Sequence, residues 1–189
     1  MRNRPALGSE QKVHVRLERA SLQHEAEFLA AVRRSGRLHG RWVKPPSSAE
    51  RFREYLKRQD STTNIAYFAF SDADDLVGVV NVSEIVRGPF QSAYLGYYGF
   101  ARHQRRGYMT AALTAVVSAS FSKHRLHRLE ANIQPANSSS IALVKRLGFR
   151  KEGYSKRYLR IGGQWCDHER WAITREDWTR RRKPRLNAR

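Results

Sequence analysis

Phe100-Ala-Arg-His-Gln-Arg-Arg-Gly-Tyr-Met-Thr110 joins two runs of different periodicity. Before it, Ala93-Tyr-Leu-Gly-Tyr-Tyr-Gly-Phe100 is aromatic-rich and reads as a strand. After it, Met109, Leu113, Val116, Val117 and Phe121 recur on one helical face. A glycine-centred, arginine-rich turn at a helix N-terminus suits a pyrophosphate. Unpaired N–H groups from Arg105 to Thr110 point outward there, the helix dipole favours an anion, and Gly107 lets the backbone come close. Cations at this end oppose the dipole, so solubility alone explains Arg102, Arg105 and Arg106 poorly. No GxxxxGK[ST] run exists, which excludes a Walker-type loop. The turn also lacks the three spaced glycines of a dinucleotide fold, and no βαβ repeat surrounds it.

Working outward, Val13-His-Val-Arg-Leu17 alternates and predicts a first strand. Ser21 can cap a helix carrying Phe28, Leu29 and Val32. Gly36, Gly40, Pro45 and Pro46 break the chain before a second helix, where Ser47-x-x-Glu50 is a capping box ahead of Phe52, Tyr55 and Leu56. Residues 65–70 and 76–86 are strand-like, joined by the polar turn Ser71-Asp-Ala-Asp-Asp75. Residues 126–133 predict a short strand and 137–147 a helix with Asn137 as N-cap. Residues 150–161 and 164–173 predict a hairpin about Gly162-Gly163. The pattern is α+β: a mostly antiparallel sheet flanked by helices. One domain is expected over residues 1–178. Residues 179–189, opening with Arg180-Arg-Arg-Lys-Pro-Arg185, are expected to form a disordered basic tail.

The 189 residues carry 36 Lys+Arg against 17 Asp+Glu, a formal net charge of +19. That surplus predicts polyanionic surroundings such as RNA, or strong attraction for an anionic small molecule. The single cysteine, Cys166, excludes an internal disulfide and any multi-thiolate metal site, so no metal is expected. No apolar run reaches spanning length and no signal-peptide core follows Met1-Arg-Asn-Arg-Pro5; a soluble, cytoplasmic protein is the expectation.

Gln104-x-x-Gly107-x-Met109 resembles the acetyl-CoA loop of the GNAT acetyltransferases, usually Q/R-x-x-G-x-G/A, with Met109 the departure. Downstream, Leu126-His-Arg-Leu-Glu-Ala-Asn-Ile133, Asn137-x-x-Ser140 and Leu147-Gly-Phe149 resemble the second half of that family. More narrowly, Val86-Arg-Gly88, Tyr94-Leu-Gly-Tyr97, Glu152-Gly-Tyr154, Gly163-Gln-Trp165 with Asp167-His168, and Asp177-Trp178 resemble the ribosomal-protein alanine N-acetyltransferases of the RimJ/RimL type. The similarity runs from about residue 76 to residue 178. It implies a GNAT fold, a mixed and mostly antiparallel twisted sheet whose strands splay at an acetyl-CoA site. It also implies an enzyme moving acetyl from acetyl-CoA to a protein N-terminal α-amine.

On that resemblance Tyr98 to Phe100 would offer backbone to the pantetheine arm and the acyl carbonyl. Arg102, Gln104, Arg105, Arg106, Gly107, Tyr108, Met109 and Thr110 would hold the phosphates. Asn132 and Asn137 would contact the pantetheine, and Ser140 would donate to the sulfur as it becomes thiolate. Tyr154 is a candidate second donor, with a core aromatic as its alternative. The general base stays open: the RimL-type position holds Leu159, leaving Glu84, Glu130 and Asp167 as the available acids. Glu130 faces the site or solvent, and Asp167 suits holding the hairpin. The scarcity of a base favours an α-amine, pKa about 7.8, over a lysine at about 10.4, which costs about 4 kcal/mol to neutralise. Cationic acceptors such as polyamines would be repelled unless an acidic pocket existed, and Asp72 to Asp75 is the only acidic cluster. Basic ribosomal proteins wrapped in RNA fit better, with the tail and basic surface docking on that RNA. Cys166 carries no mark of activation, so direct transfer is expected. A small-molecule or peptide amine acetyltransferase, and a non-catalytic RNA-associated module, are the alternatives.

Overall fold

The computed structural model describes residues 13–59 and 61–182. Seven strands form one sheet: β1 (Arg16–Arg19), β2 (Ile65–Phe70), β3 (Leu76–Val86), β4 (Ser92–Gly99), β5 (Arg128–Ile133), β6 (Arg150–Ile161) and β7 (Gln164–Thr174). Their order is β1-β2-β3-β4-β5-β7-β6. Every pairing is antiparallel except β4 with β5, which run parallel. That parallel pair is joined only through Ser92–Arg128, Ala93–Leu129 and Tyr94–Glu130. Beyond Tyr94 the two strands part, which opens a wedge in the middle of the sheet.

Alternation along β2 sorts the core into two layers. Ile65, Tyr67 and Ala69 face α4 (Tyr108–Ser122) and α5 (Ser138–Leu147), whereas Ala66, Phe68 and Phe70 face α1 (Glu25–Arg34) and α3 (Ala49–Gln59). α2 (Gly36–His39) turns the corner after α1. Leu113, Val116 and Val117 of α4 are fully buried, each contributing roughly 1.5–3 kcal/mol. Phe28, Phe52 and Phe68 are the matching centre of the other layer, with Phe28 stacked 5.4 Å from Phe68.

The strands 65–70 and 76–86, the 137–147 helix and the hairpin lie where the sequence places them, within a residue or two. Three expectations need correction. The first strand is β1 at Arg16–Arg19, with Val13 ahead of it packed against Gly107. The capping residue of α3 is Ser48 rather than Ser47: Ser48 Oγ accepts the Arg51 N–H at 3.3 Å, so no Ser47–Glu50 box forms. The chain also stays ordered beyond residue 178. α6 (Arg175–Arg182) buries Trp178, and Arg181 donates to the Arg146 carbonyl at 2.7 Å, capping α5. Arg182 donates to Ser118 Oγ at 2.8 Å. A Cβ on Gly148 would lie 2.5 Å from Arg181 Cδ, so this contact requires glycine at the α5 terminus, where φ is +89. The rest of the expected tail, 183–189, lies outside the described residues.

Candidate active site

The wedge between β4 and β5 continues into a cleft of about 980 Å³. At one end is the N-terminus of α4. Gly107 precedes it with φ +85, and Arg105 is also left-handed at φ +57, so the turn curls before the helix starts. The first helical N–H groups after Gly107 have no carbonyl within the helix to bond. They face the cleft with Gln104, Arg105, Tyr108, Met109 and Thr110, all of which line it.

Met109 occupies the place of the small residue in the usual pattern, and the sheet explains how. Gly78 and Gly99 are register partners on β3 and β4. A Cβ on Gly78 would sit 2.3 Å from Met109 Sδ, and one on Gly99 3.0 Å from Met109 Cγ. Two cross-strand glycines therefore make room for a long side chain at the second position of α4.

Across the cleft, Asn137 caps α5 by accepting the Ser140 N–H at 3.2 Å. This holds the first turn so that Ser140 Oγ meets Tyr97 Oη at 2.6 Å. Burial pushes the Tyr97 phenol up to about 12, against the opposing pull of the Ser140 hydrogen bond. Tyr97 therefore keeps its proton at neutral pH and acts as a donor. Asn132 Oδ1, His39 Nδ1 and His103 Nδ1 are buried side-chain atoms of cleft-lining residues with no protein partner. Buried polar atoms of this kind favour a ligand that supplies the missing bond. Burial holds both histidines below their usual pKa, hence neutral.

A second wall comes from the α1–α2 corner and the β6–β7 hairpin. His39 Nε2 donates to the Gly99 carbonyl at 3.0 Å, and Ser35 Oγ accepts the Ala101 N–H at 2.9 Å. The corner bearing Trp42 is thus tied to the end of β4. From the hairpin, Tyr158, Leu159 and Ile161 line the cleft.

Of the residues singled out from sequence, Tyr98, Phe100, Gln104, Arg105, Gly107 and Tyr108 line this cleft, as do Met109, Thr110, Asn132, Asn137 and Ser140. Four do not. Arg102 turns back to Asp75 at 3.4 Å, and Arg106 is exposed outside the lining. Glu130 is taken by Arg128 Nε at 2.8 Å, in a cluster that also binds Glu152. Tyr154 is exposed and donates to Asp167, which also accepts the Arg157 N–H at 2.8 Å. Asp167 does hold the hairpin, at a bulge where Arg157 has φ +49. Sequence reading missed Tyr97, although it lies in the aromatic strand, and Arg146, whose Nη1 reaches Thr110 Oγ1 at 3.5 Å. Among the described residues no helix is long and apolar enough to cross a membrane, and no metal-binding cluster occurs.

The E. coli ribosomal protein uS5-alanine N-acetyltransferase is 46% identical over 115 residues, covering 60% of this chain and 59% of that protein's own length. A probable N-acetyltransferase of Bacillus subtilis, YjcK, is 36% identical over 129 residues, covering 68% of this chain and 71% of that one. Mycobacterium smegmatis RimJ, solved in complex with CoA-disulfide, superposes with a TM-score of 0.79 at 26% identity, covering 86% of this chain and 82% of that one. The family described as acetyltransferase (GNAT) domain matches residues 14–150. With the wedge between β4 and β5 and the anion-ready start of α4, that match makes this chain a member of the GNAT acetyltransferase family.

Proposed function

We propose that the chain is an acetyl-CoA-dependent N-acetyltransferase acting on the α-amine of a protein N-terminus, in the first instance a ribosomal protein's. The observation that carries the reading is the Tyr97–Ser140 hydroxyl pair inside a cleft that ends at the α4 N-terminus. The α4 N–H groups, Arg105 and Arg146 would take the phosphates. Asn132 Oδ1 would accept from a pantetheine amide, and the acyl thioester would lie beside Ser140.

Transfer runs as a direct displacement. The neutral amine attacks the thioester carbonyl, the C–N bond forms, the C–S bond breaks, and the amine's proton is lost to water. Ser140 Oγ–H donates to the departing sulfur while Tyr97 Oη–H donates to Ser140 Oγ. A thiolate of pKa about 8.5 is a weaker base than a phenolate of pKa about 12, so the pair stabilises the sulfur by hydrogen bonds without giving up a proton. Cys166 does not line the cleft, in keeping with transfer that forms no acyl-enzyme. The uS5-alanine N-acetyltransferase relative supports a ribosomal acceptor, and a ribosomal acceptor places the reaction in the cytoplasm. The +19 charge then serves docking on ribosomal RNA.

Purified protein with acetyl-CoA should acetylate a short peptide with N-terminal alanine and leave a peptide with a blocked N-terminus and a free lysine untouched. Mass spectrometry reads both. Equal or preferential lysine acetylation would refute the α-amine assignment.

A further inference from the structure

Among the described residues, Glu84 is the single carboxylate in the cleft lining. It sits at the far end from the α4 N-terminus, beside Ser83, whose register partner is Tyr94. Tyr94 is three residues before Tyr97 on β4, a backbone rise of about 10 Å along the strand. The cleft therefore differs in charge between its ends, with Arg105 and Arg146 at one and one carboxylate at the other.

The backbone under Glu84 is unusual. Its φ is +51, in a bulge between Ser83 and Val86, a left-handed conformation that disfavours residues with a Cβ and suits glycine. Neighbours fix the bend: Asn64 Oδ1 accepts the Glu84 N–H at 3.3 Å, Ile85 N–H donates to the Thr63 carbonyl at 2.9 Å, and Ile85 is buried. None of these contacts uses the Glu84 side chain, which has no hydrogen bond or ion pair among the described residues and is exposed. The bulge would form as well with glycine. A glutamate there puts an acidic residue in the cleft lining at a cost in backbone strain.

We propose that Glu84 is the acceptor-recognition carboxylate, binding the ammonium of an incoming N-terminus at the mouth of the cleft. This rests on the α-amine reading above and deepens it. A carboxylate beside an amine favours its charged form, so Glu84 acts in capture rather than deprotonation. Its removal should therefore raise KM for the acceptor and leave unchanged the kcat reached at high pH, where the bound amine is already neutral. The bound amine should also lose its proton at lower pH once the carboxylate is gone, because the pH dependence of kcat reports the complex.

Glu84→Gln and Glu84→Gly are the variants, with Glu50→Gln on α3 as a control that removes the same charge away from the cleft. Binding of an alanine-initiated hexapeptide and of its N-formyl twin is measured by titration in the presence of CoA. The native protein should prefer the free amine about tenfold, and both Glu84 variants should lose that preference. Glu84→Gly should also melt at a higher temperature than the native chain, since it releases the left-handed strain. In turnover, both should raise acceptor KM about tenfold, leave CoA affinity unchanged and shift the midpoint of the kcat–pH profile downward. A native protein that binds both peptides equally overturns the proposal, as does a Glu84→Gln variant that keeps the preference or a Glu50→Gln variant that loses it equally. If the native protein prefers the free amine but acetylates neither peptide, the acetyltransferase reading fails while Glu84 keeps its role.

Discussion

Gly78→Ala tests whether the sheet is built around Met109. The added Cβ would lie 2.3 Å from Met109 Sδ, 3.4 Å from Cε and 3.1 Å from the Tyr98 carbonyl. The sulfur can swing away; the carbonyl cannot, because the β3–β4 register holds it. Overpacking of this kind costs about 1–3 kcal/mol, so about 2 kcal/mol is expected. In a chain of this length that lowers Tm by about 4–8 °C. Met109→Ala removes the sulfur and, from a half-buried site, costs about 2 kcal/mol itself. Independent effects would sum to about 4 kcal/mol in the double variant. Because one sulfur is both the lost contact and the obstacle, the double variant should lose only about 2–3 kcal/mol, a coupling of about 1–2 kcal/mol. Denaturant unfolding of all four proteins gives the cycle, and calorimetric titration with CoA shows whether a displaced α4 start weakens binding in Gly78→Ala and recovers in the double variant. Gly78→Ala at native stability, or additivity within about 0.5 kcal/mol, would refute the contact as the reason Met109 is tolerated.

Two further outcomes are expected. Ser140→Ala should lower kcat by about 10²–10³-fold with little change in KM for acetyl-CoA, and Tyr97→Phe should lower it less; combining the two should add little to Ser140→Ala, and steady-state kinetics that show multiplicative losses would mean the hydroxyls act separately. Cutting the chain after Arg182 leaves α6 capping α5, so peptide acetylation should persist while RNA binding loses about 0.7–0.9 in log–log salt slope per phosphate contact removed; an unchanged slope would clear residues 183–189 of any role in docking.

Much of the fold is legible because burial follows simple periods. The β2 and β3 boundaries come straight from apolar runs, and α5 from Asn137 at one end and Gly148 at the other. What stays hidden is settled by contacts distant in sequence. Nothing local distinguishes Ser47 from Ser48 as a cap. The arginine-rich end reads as unfoldable until Trp178 is buried and Arg181 finds the α5 carbonyl. In the site, the left-handed residues Glu84 and Arg157 break the alternation by which facing is read, so the roles of Glu84, Tyr158 and Leu159 cannot be counted off the strands. The failures at Glu130 and Arg102 share a cause: each is a charge already neutralised by a partner, Arg128 in one case and Asp75 in the other.

The order β5-β7-β6 puts the last strand of the sequence between the two that precede it. β1 to β4 can pair one after another as they leave the ribosome, each with its predecessor. β5 emerges to only three parallel pairs with β4, and β6 emerges with no neighbour at all. Both must wait, edges open, for β7 to bring Trp171 and Ile173 into the core. The chain is thus exposed to edge-to-edge misassembly late in its synthesis, when most of its sequence is already outside. A stalled or clipped product lacking β7 would be a half-finished sheet with two adhesive borders, a species for chaperones and proteases rather than a weaker version of the same protein.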